Sequence, residues 1–268
     1  MTLMIKTKFL IFLMIAWTPL VMMPGANAQE NPSGIDSTVD PDPNAILQEA
    51  CNFLKAQKAF TVEKDITFDN VLDSGEKVQY SAYEKLAVRK PNQMRAIYTG
   101  DRRDSVLYYN GKTITLLNPA KNLYATKPAP PTIDETVNAI EEKYGIDLPL
   151  SNLIVSNPCI AVTPEAANAG KTLFIGLDMV NRVPAYHLLF HGQDKDWQLW
   201  VSQDAPPRIL KVVIAYKDLP GVPQYSVVLS KWNFNPSLAA DTFTFKPPAG
   251  AAQIDFLPSA KVSKVTKP

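Results

Sequence analysis

Two long stretches of the chain alternate apolar and polar residues with a period of two, and this alternation constrains the fold more than any other feature. In the first stretch, residues 60–126, Phe60 and Val62 stand between polar neighbours, and Asn110-Gly111 is a dipeptide typical of tight hairpins. The pattern predicts a meander of about six antiparallel strands.

The second stretch begins near Lys171 and predicts five more strands as far as Asn233, followed by short closing strands at residues 241–246 and 253–256. A single sheet of about eleven strands has to curl, and clean alternation means that one face is buried while the other faces water. The chain is therefore predicted to be mainly β, of the α+β class, with one curved antiparallel sheet.

A helix is predicted ahead of the first strand, over residues 44–59. Asn44 can cap its start, and Leu47 and Leu54 lie on an apolar stripe that recurs with a period near 3.6 residues. Such a stripe needs an apolar surface, and the economical place for the helix is the concave face of the curved sheet.

Further helical segments are predicted over residues 133–155, between the two groups of strands and on the same concave face. Thr132 and Glu135 form a capping box at the start. Residues 148–155 look like a second short helix and are too apolar for a free loop. This segment either lies over an apolar pocket or simply completes the core, and the pattern does not choose between the two.

The first 28 residues read as a cleavable secretory signal peptide. Lys6 and Lys8 precede an uncharged apolar run, and the small residues of Ala26-Asn27-Ala28 place the expected cleavage after Ala28. A membrane anchor is the alternative, but the run contains a proline and is shorter than the roughly 20 residues of a spanning helix.

The rest of the chain divides into a disordered leader at residues 29–43, one domain at residues 44–257 and a flexible tail at residues 258–268. No later segment is long and apolar enough to cross a bilayer. The first cysteine lies far downstream of the apolar run, whereas a bacterial lipoprotein carries one directly after it. We therefore expect the mature chain to be free in the periplasm.

The chain has two cysteines, Cys51 and Cys159. An even number of cysteines in an oxidising compartment favours a disulfide between them, and two buried free thiols are the alternative.

Composition and motifs speak against nucleic-acid, metal and catalytic functions. The 27 basic and 26 acidic residues nearly cancel, whereas a nucleic-acid site needs a basic face. His187 and His191 stand four residues apart along a predicted strand, about 13 Å, which is too far to share a zinc ion. No nucleophile elbow, phosphate loop or dinucleotide fingerprint is present. We expect a protein that is not an enzyme and that needs no metal or cofactor.

Several short motifs follow one another in a distinctive order. They are a helix start at residues 42–47, a strand–turn–strand at 89–95, and further motifs at 108–112, 199–201, 207–210 and 243–250. In this order the chain resembles the LolA/LolB lipoprotein-carrier superfamily, and more closely an uncharacterised family of predicted bacterial periplasmic proteins assigned to it. The resemblance covers residues 42–257.

The resemblance implies an unclosed antiparallel β-barrel with a helical lid over an apolar cavity. Carriers of this type hold the acyl chains of lipoproteins or lipids, and the same architecture serves as a sensor domain in envelope-stress regulators. No ligand-gripping residue of the carriers can be matched to a position in this chain, so none is transferred.

The leading hypothesis is a soluble periplasmic protein that binds a lipid or an acylated protein. A sensor or interaction module that binds another envelope protein is the alternative. The residues expected to line the ligand site come from the helical segments and from the sheet, namely Ile133, Val137, Ile140, Leu148, Leu150 and Ile154 together with Phe60, Phe68, Tyr80, Tyr98 and Leu107.

Overall fold

The structure is a computed structural model that describes residues 40–144, 150–158 and 172–256. The predicted signal peptide and tail lie outside these residues. The helices and strands follow the chain in the order α1 Pro43–Ala56, β1 Ala59–Val71, β2 Lys77–Arg89, β3 Gln93–Gly100, β4 Asp104–Tyr109, β5 Thr113–Asn118, β6 Leu123–Pro128, α2 Ile133–Tyr144, β7 Thr172–Val180, β8 Val183–His191, β9 Lys195–Ser202, β10 Ile209–Tyr216, β11 Gln224–Asn233 and β12 Ala252–Gln253.

Helix α1 begins where a side chain and a proline both favour a helix start. Asp42, rather than the predicted Asn44, is the cap, and its carboxylate accepts a hydrogen bond from the backbone N–H of Asn44 at 2.9 Å. Pro43 follows in the first turn, where a missing N–H is tolerated. Leu47 and Leu54 are buried on the predicted apolar face.

The same helix ends at Ala56, three residues before the predicted end at Ala59. Ala59 is already the first residue of β1 and lies opposite Arg89 of β2. Ala59 therefore pairs with β2 instead of continuing the helix.

The strands form two meanders that meet in the middle of one sheet. The strand order is β12-β6-β5-β4-β3-β2-β1-β11-β10-β9-β8-β7, so the two meanders are joined by the antiparallel pair β1 and β11. Among the described strands only β12 and β6 pair in parallel. The predicted mainly β fold is confirmed, with 12 strands in one curved, unclosed sheet whose edges are β12 and β7.

The hairpin between β4 and β5 confirms the turn predicted from Asn110-Gly111. The Asn110 side chain accepts a hydrogen bond from the backbone N–H of Thr113 at 2.9 Å. Gly111 has φ +84°, and a Cβ atom there would lie 2.7 Å from the side-chain nitrogen of Asn92. The left-handed backbone conformation favours glycine at this position.

The capping box predicted at the start of the second helical region is present in part. The Thr132 hydroxyl accepts a hydrogen bond from the backbone N–H of Glu135 at 3.2 Å, and α2 starts at the next residue after Thr132. The acidic residues Asp134 and Glu135 occupy the first turn, where the helix dipole favours negative charge.

The prediction of a short helix at residues 148–155 is wrong for the part that the structure describes. Residues 150–158 contain a single 3-10 turn, Ser151–Leu153, and residues 145–149 lie outside the described chain. Leu150 has φ +64°, a left-handed conformation that an α-helix cannot include.

The strand predicted at residues 241–246 is also wrong, because this segment lies across the outer face of the sheet without joining it. Phe243 is buried beneath the guanidinium of Arg89, whose centre is 5.1 Å from the ring centroid. The ring of Phe245 lies 5.4 Å from that of Tyr108. The alternating phenylalanines, which suggested a strand, therefore anchor an irregular segment. The second closing strand, predicted at residues 253–256, is replaced by the two-residue β12, which overlaps it only at Gln253.

The main core lies between the concave face of the sheet, here called the inner face, and the helices. It joins Leu47 and Leu54 of α1 and Ile133 of α2 to strands of both meanders. A smaller apolar cluster around Trp200 and Leu210 lies on the opposite, outer face. Within the described residues, no helix has the length and apolar character needed to span a membrane.

Candidate functional site

The residues predicted to line a ligand site fall into two groups with different environments. Leu148 lies outside the described residues. From the helical segments and the start of β1, the structure buries Ile133, Val137, Ile140, Leu150, Ile154 and Phe60. Phe68, Tyr80, Tyr98 and Leu107 are half-buried residues of β1 to β4.

The first group is buried beneath the helical segments, most of it in the main core. One small void beside Leu150 measures about 10 Å³ and is also bounded by Leu47, Leu153 and Trp197, among others. A space of this size is about one water probe and cannot hold an acyl chain. Leu150, Leu153 and Ile154 pack in the main core, which supports the core alternative for this described part of the segment.

Two members of the second group, Phe68 and Tyr80, belong to a longer row of large side chains that crosses the inner face, whereas Tyr98 and Leu107 lie outside that row. Successive members lie directly opposite one another in the strand register, and the Phe68 and Tyr80 ring centroids are 5.7 Å apart. We call this set the cross-sheet row, and it consists of Tyr80, Phe68, Tyr225, Ile214, Trp197 and Phe190.

The cross-sheet row is not uniformly buried. Ile214 and Phe190 are fully covered, whereas Tyr80, Phe68 and Tyr225 are only half-buried. The row therefore leaves a partly exposed aromatic surface at the end of the inner face nearest the β1–β2 hairpin. Rings that bury large areas at low entropic cost suit an apolar ligand.

Trp197 contributes an unusual polar atom to this apolar row. Its indole Nε1 is buried and has no hydrogen-bond partner within the described part of the chain. The related Trp232, also on the inner face, donates its Nε1–H to the carbonyl oxygen of Ile209 at 3.0 Å. An unpaired buried donor is costly, and it can be satisfied by a water molecule or by a ligand acceptor.

Charged groups border the row at its half-buried end. The guanidinium groups of Arg102 and Arg103 lie over the rings of Tyr80 and Tyr98, at 4.8 and 5.3 Å from the centroids. Burial raises the pKa of Tyr98, the nearby Arg103 lowers it, and the charge of Glu84 raises it again. The phenol of Tyr98 therefore stays neutral at physiological pH.

The described residues hold no cluster of three or more histidine, cysteine, aspartate or glutamate side chains arranged for a metal ion. Each histidine has its own partner. His187 Nε2 lies 3.0 Å from Gln198 Oε1, and His191 Nδ1 lies 3.1 Å from Asp196 Oδ1. Both are residues of β8 with separate contacts.

The edge strand β7 exposes large apolar side chains that sequence reasoning did not single out. Ile175, Leu177 and Met179 are 50%, 70% and 60% exposed. Leu177 lies opposite Tyr186, whose side chain packs on the main core, so Leu177 belongs to the inner face at the rim of the sheet. Alternation predicted a strand here but not that it would be an edge.

Only one of the two cysteines of the predicted disulfide lies within the described residues. Cys51 is buried on α1, and Cys159 lies outside the described chain. The disulfide therefore stays a prediction.

The sequence model of a family described as "Predicted periplasmic protein (DUF2092)" matches residues 44–257. No curated protein matches the chain.

Three solved structures illustrate what the chain is similar to in fold. An uncharacterised conserved protein of Thermus thermophilus is 10% identical, with a TM-score of 0.44 and coverage of 80% of this chain and 98% of that one. The lipoprotein LppX of Mycobacterium tuberculosis is 11% identical, with a TM-score of 0.41 and coverage of 75% of this chain and 100% of that one. A LolA-superfamily protein of Nitrosomonas europaea is 13% identical, with a TM-score of 0.35 and coverage of 76% of this chain and 98% of that one. Likeness at this level does not transfer an activity.

Proposed function

The chain belongs to the DUF2092 family of predicted periplasmic proteins, and we propose that it is a non-catalytic periplasmic protein that binds a hydrophobic ligand, a lipid or the acyl chain of a lipoprotein. The observation that carries this proposal is the cross-sheet row, whose Tyr80, Phe68 and Tyr225 end is left half-buried on the inner face. The resemblance of the sequence to lipoprotein carriers points in the same direction.

The burial of the helical residues restricts where such a ligand would lie. Because the void found beside Leu150 measures only about 10 Å³, we place the acyl chain along the half-buried end of the row. Each buried CH₂ group would contribute about 0.8 kcal/mol to binding.

The proposal is tested by mass spectrometry of protein purified under non-denaturing conditions and by uptake of a fluorescent fatty acid. We expect co-purified lipid, and we expect the Phe68→Ser variant to bind the fatty acid about tenfold more weakly, because one buried phenyl surface is lost. Ile254→Ser removes an exposed apolar side chain next to the far edge strand β12 and serves as the matched control. Repeated absence of lipid, together with no uptake by the native protein, would overturn the proposal.

A second candidate function is favoured by β7. In this alternative the protein is an envelope interaction module, and its partner is an extended apolar segment of another envelope protein that adds to β7 as a further strand. The exposed Leu177 and Met179 beside an open sheet edge support it, since strand addition uses backbone hydrogen bonds and alternate side chains. The filled core beneath the helices also fits this alternative.

Photo-cross-linking in the periplasm separates the two candidates. A cross-linking residue in place of Leu177 should capture one protein in stoichiometric yield if the interaction module is correct, and the same residue in place of Leu72 should capture none. No protein captured at Leu177, together with lipid captured by the same residue in place of Phe68, would favour the hydrophobic-ligand function instead.

We also propose that the mature protein is located in the periplasm, starts after Ala28 and carries a Cys51–Cys159 disulfide. The intact mass of protein from the native periplasm, measured after alkylation with and without reductant, tests both at once. Two alkylated cysteines in the unreduced sample would contradict the disulfide.

A further inference from the structure

A separate cavity of about 250 Å³ lies on the outer face of the sheet, which is the face opposite the helices. Its walls come from β1, β2, β3 and β11 and from the C-terminal segment that crosses this face. We call it the outer-face pocket, and its polar lining consists of Thr61, Glu63, Lys85, Arg95, Lys231 and Thr242.

Positive charge exceeds negative charge in the outer-face pocket, since its lining includes three cations and one carboxylate. Lys231 Nζ lies 2.7 Å from one oxygen of Glu63, and Lys85 Nζ lies 3.7 Å from the other. The hydrogen bond from Lys231, followed by one from Tyr83, lowers the pKa of Glu63. Glu63 is therefore ionised and already satisfied, and the pocket keeps a surplus of two positive charges.

A β-bulge places Lys231 in the pocket. Thr61 lies opposite Asn233, but Glu63 lies opposite Ser230, so β11 carries one residue more than β1 at this point. Lys231 has φ +51°, a conformation that is uncommon for residues other than glycine. Bulges of this kind re-aim a side chain, and here the redirected side chain is a cation that meets Glu63 on the outer face.

Arg95 supplies an unsatisfied donor in the same pocket. Its Nε is buried and has no hydrogen-bond partner among the residues that the structure describes. The guanidinium is held over the Tyr108 ring, with its central carbon 5.1 Å from the ring centroid. An arginine fixed in this way is suited to an oxyanion, because its N–H groups match two oxygens of a carboxylate or phosphate.

We propose that the outer-face pocket binds a small organic anion through a carboxylate or phosphate group. Arg95 makes the main contact, and Lys85 and Lys231 supply the remaining positive charge. The volume of about 250 Å³ suits a ligand smaller than a typical drug-sized molecule. This site is independent of the hydrophobic-ligand function, since the two lie on opposite faces of the sheet.

The test uses nitrogen-15 NMR of the full mature protein, with the Arg95 Nε–H resonance as the direct readout. Inorganic phosphate and acetate are titrated separately at constant ionic strength set by sodium chloride. We expect a saturable shift of this resonance with at least one of the two anions. The stronger response identifies the ligand group as phosphate or carboxylate.

Three variants decide whether the pocket itself is responsible. Lys85→Gln, followed by the Arg95 Nε–H resonance, should weaken binding about tenfold, as loss of one charge-assisted contact predicts. Arg95→Gln lacks that resonance, so it is followed by the backbone amide resonances of the pocket residues, and it should weaken binding by a similar factor. Arg103→Gln is the matched control, because it also removes an arginine that lies over a tyrosine ring, but Arg103 is outside the pocket. Lys85 is exposed, so its variant tests the site even if the Arg95 variant does not fold. Absence of a saturable shift, or equal binding by Lys85→Gln and the native protein, would overturn the proposal.

Discussion

Lys64 Nζ lies 2.7 Å from Glu84 Oε1 on the inner face of the sheet, where the neighbouring inward-facing positions are apolar. The two residues lie directly opposite each other in β1 and β2, and their side chains are 9% and 17% exposed. Removing two charges from water is costly, and each charge here depends on the other for compensation. The pair is therefore far more sensitive to the loss of one partner than to the loss of both.

Replacing one member of this pair should destabilise the protein strongly. We expect Lys64→Met to lower the free energy of unfolding by about 3–5 kcal/mol, because Glu84 is left as an uncompensated buried charge. The double variant Lys64→Met, Glu84→Leu should recover most of that loss. Urea denaturation measures both. Lys77→Met is the control, since Lys77 is 42% exposed and 3.6 Å from Asp69, and its loss should cost less than about 1 kcal/mol. Equal losses in the single and double variants would contradict this account.

Two tryptophans of the inner face should respond differently to the same substitution. Trp232→Phe removes a hydrogen bond to the carbonyl oxygen of Ile209, whereas Trp197→Phe removes a buried N–H that has no partner among the described residues. Both variants lose similar ring volume. We therefore expect Trp232→Phe to be about 1–3 kcal/mol less stable than Trp197→Phe in the absence of ligand. Thermal or urea denaturation of delipidated protein provides the comparison, and the reverse order would show that Trp197 is satisfied in solution.

The local parts of the fold could be read from the sequence because their signals are local. The Asn110-Gly111 hairpin and helix α1 depend on residues that are close together in the chain. The errors arose where distant contacts decide the outcome. Phe243 and Phe245 alternate like strand residues, yet Arg89 and Tyr108 hold them outside the sheet. No pattern within residues 241–246 could have revealed those partners.

The candidate site was predictable only in part for the same reason. Alternation placed Phe68 and Tyr80 on one face, because β1 and β2 are neighbours in the chain. The continuation of the row to Tyr225 and Trp197 depends on pairing between β1 and β11, which are far apart in sequence. The bulge that redirects Lys231 depends on the same pairing. No local pattern in the sequence could therefore have predicted the outer-face pocket.

The exposed apolar side chains of β7 should contribute little to folding stability. Leu177 is 70% exposed and Met179 is 60% exposed, so the double substitution to lysine should change the free energy of unfolding by no more than about 0.5 kcal/mol. Val180→Lys in the same strand is the contrasting variant, because Val180 is buried and a lysine there would be desolvated. Chemical denaturation distinguishes the two. Strong destabilisation by the double variant would mean that these side chains are covered in the native protein.

Stability should depend on pH through Glu63. The hydrogen bond from Lys231, then that from Tyr83, lowers the pKa of Glu63 below its ordinary value of 4.5. The unfolded chain therefore binds this proton at a higher pH than the folded chain does, so the stabilisation from ionised Glu63 is complete above pH 4.5 and is lost as pH falls through the folded-state pKa. We expect the native protein to exceed Glu63→Gln in unfolding free energy by a constant amount at neutral pH and by less in acid. Glu49→Gln, at an exposed position of α1, controls for the loss of one surface carboxylate. A gap between native protein and Glu63→Gln that stayed unchanged down to about pH 3 would show that Lys231 and Tyr83 do not stabilise the Glu63 charge.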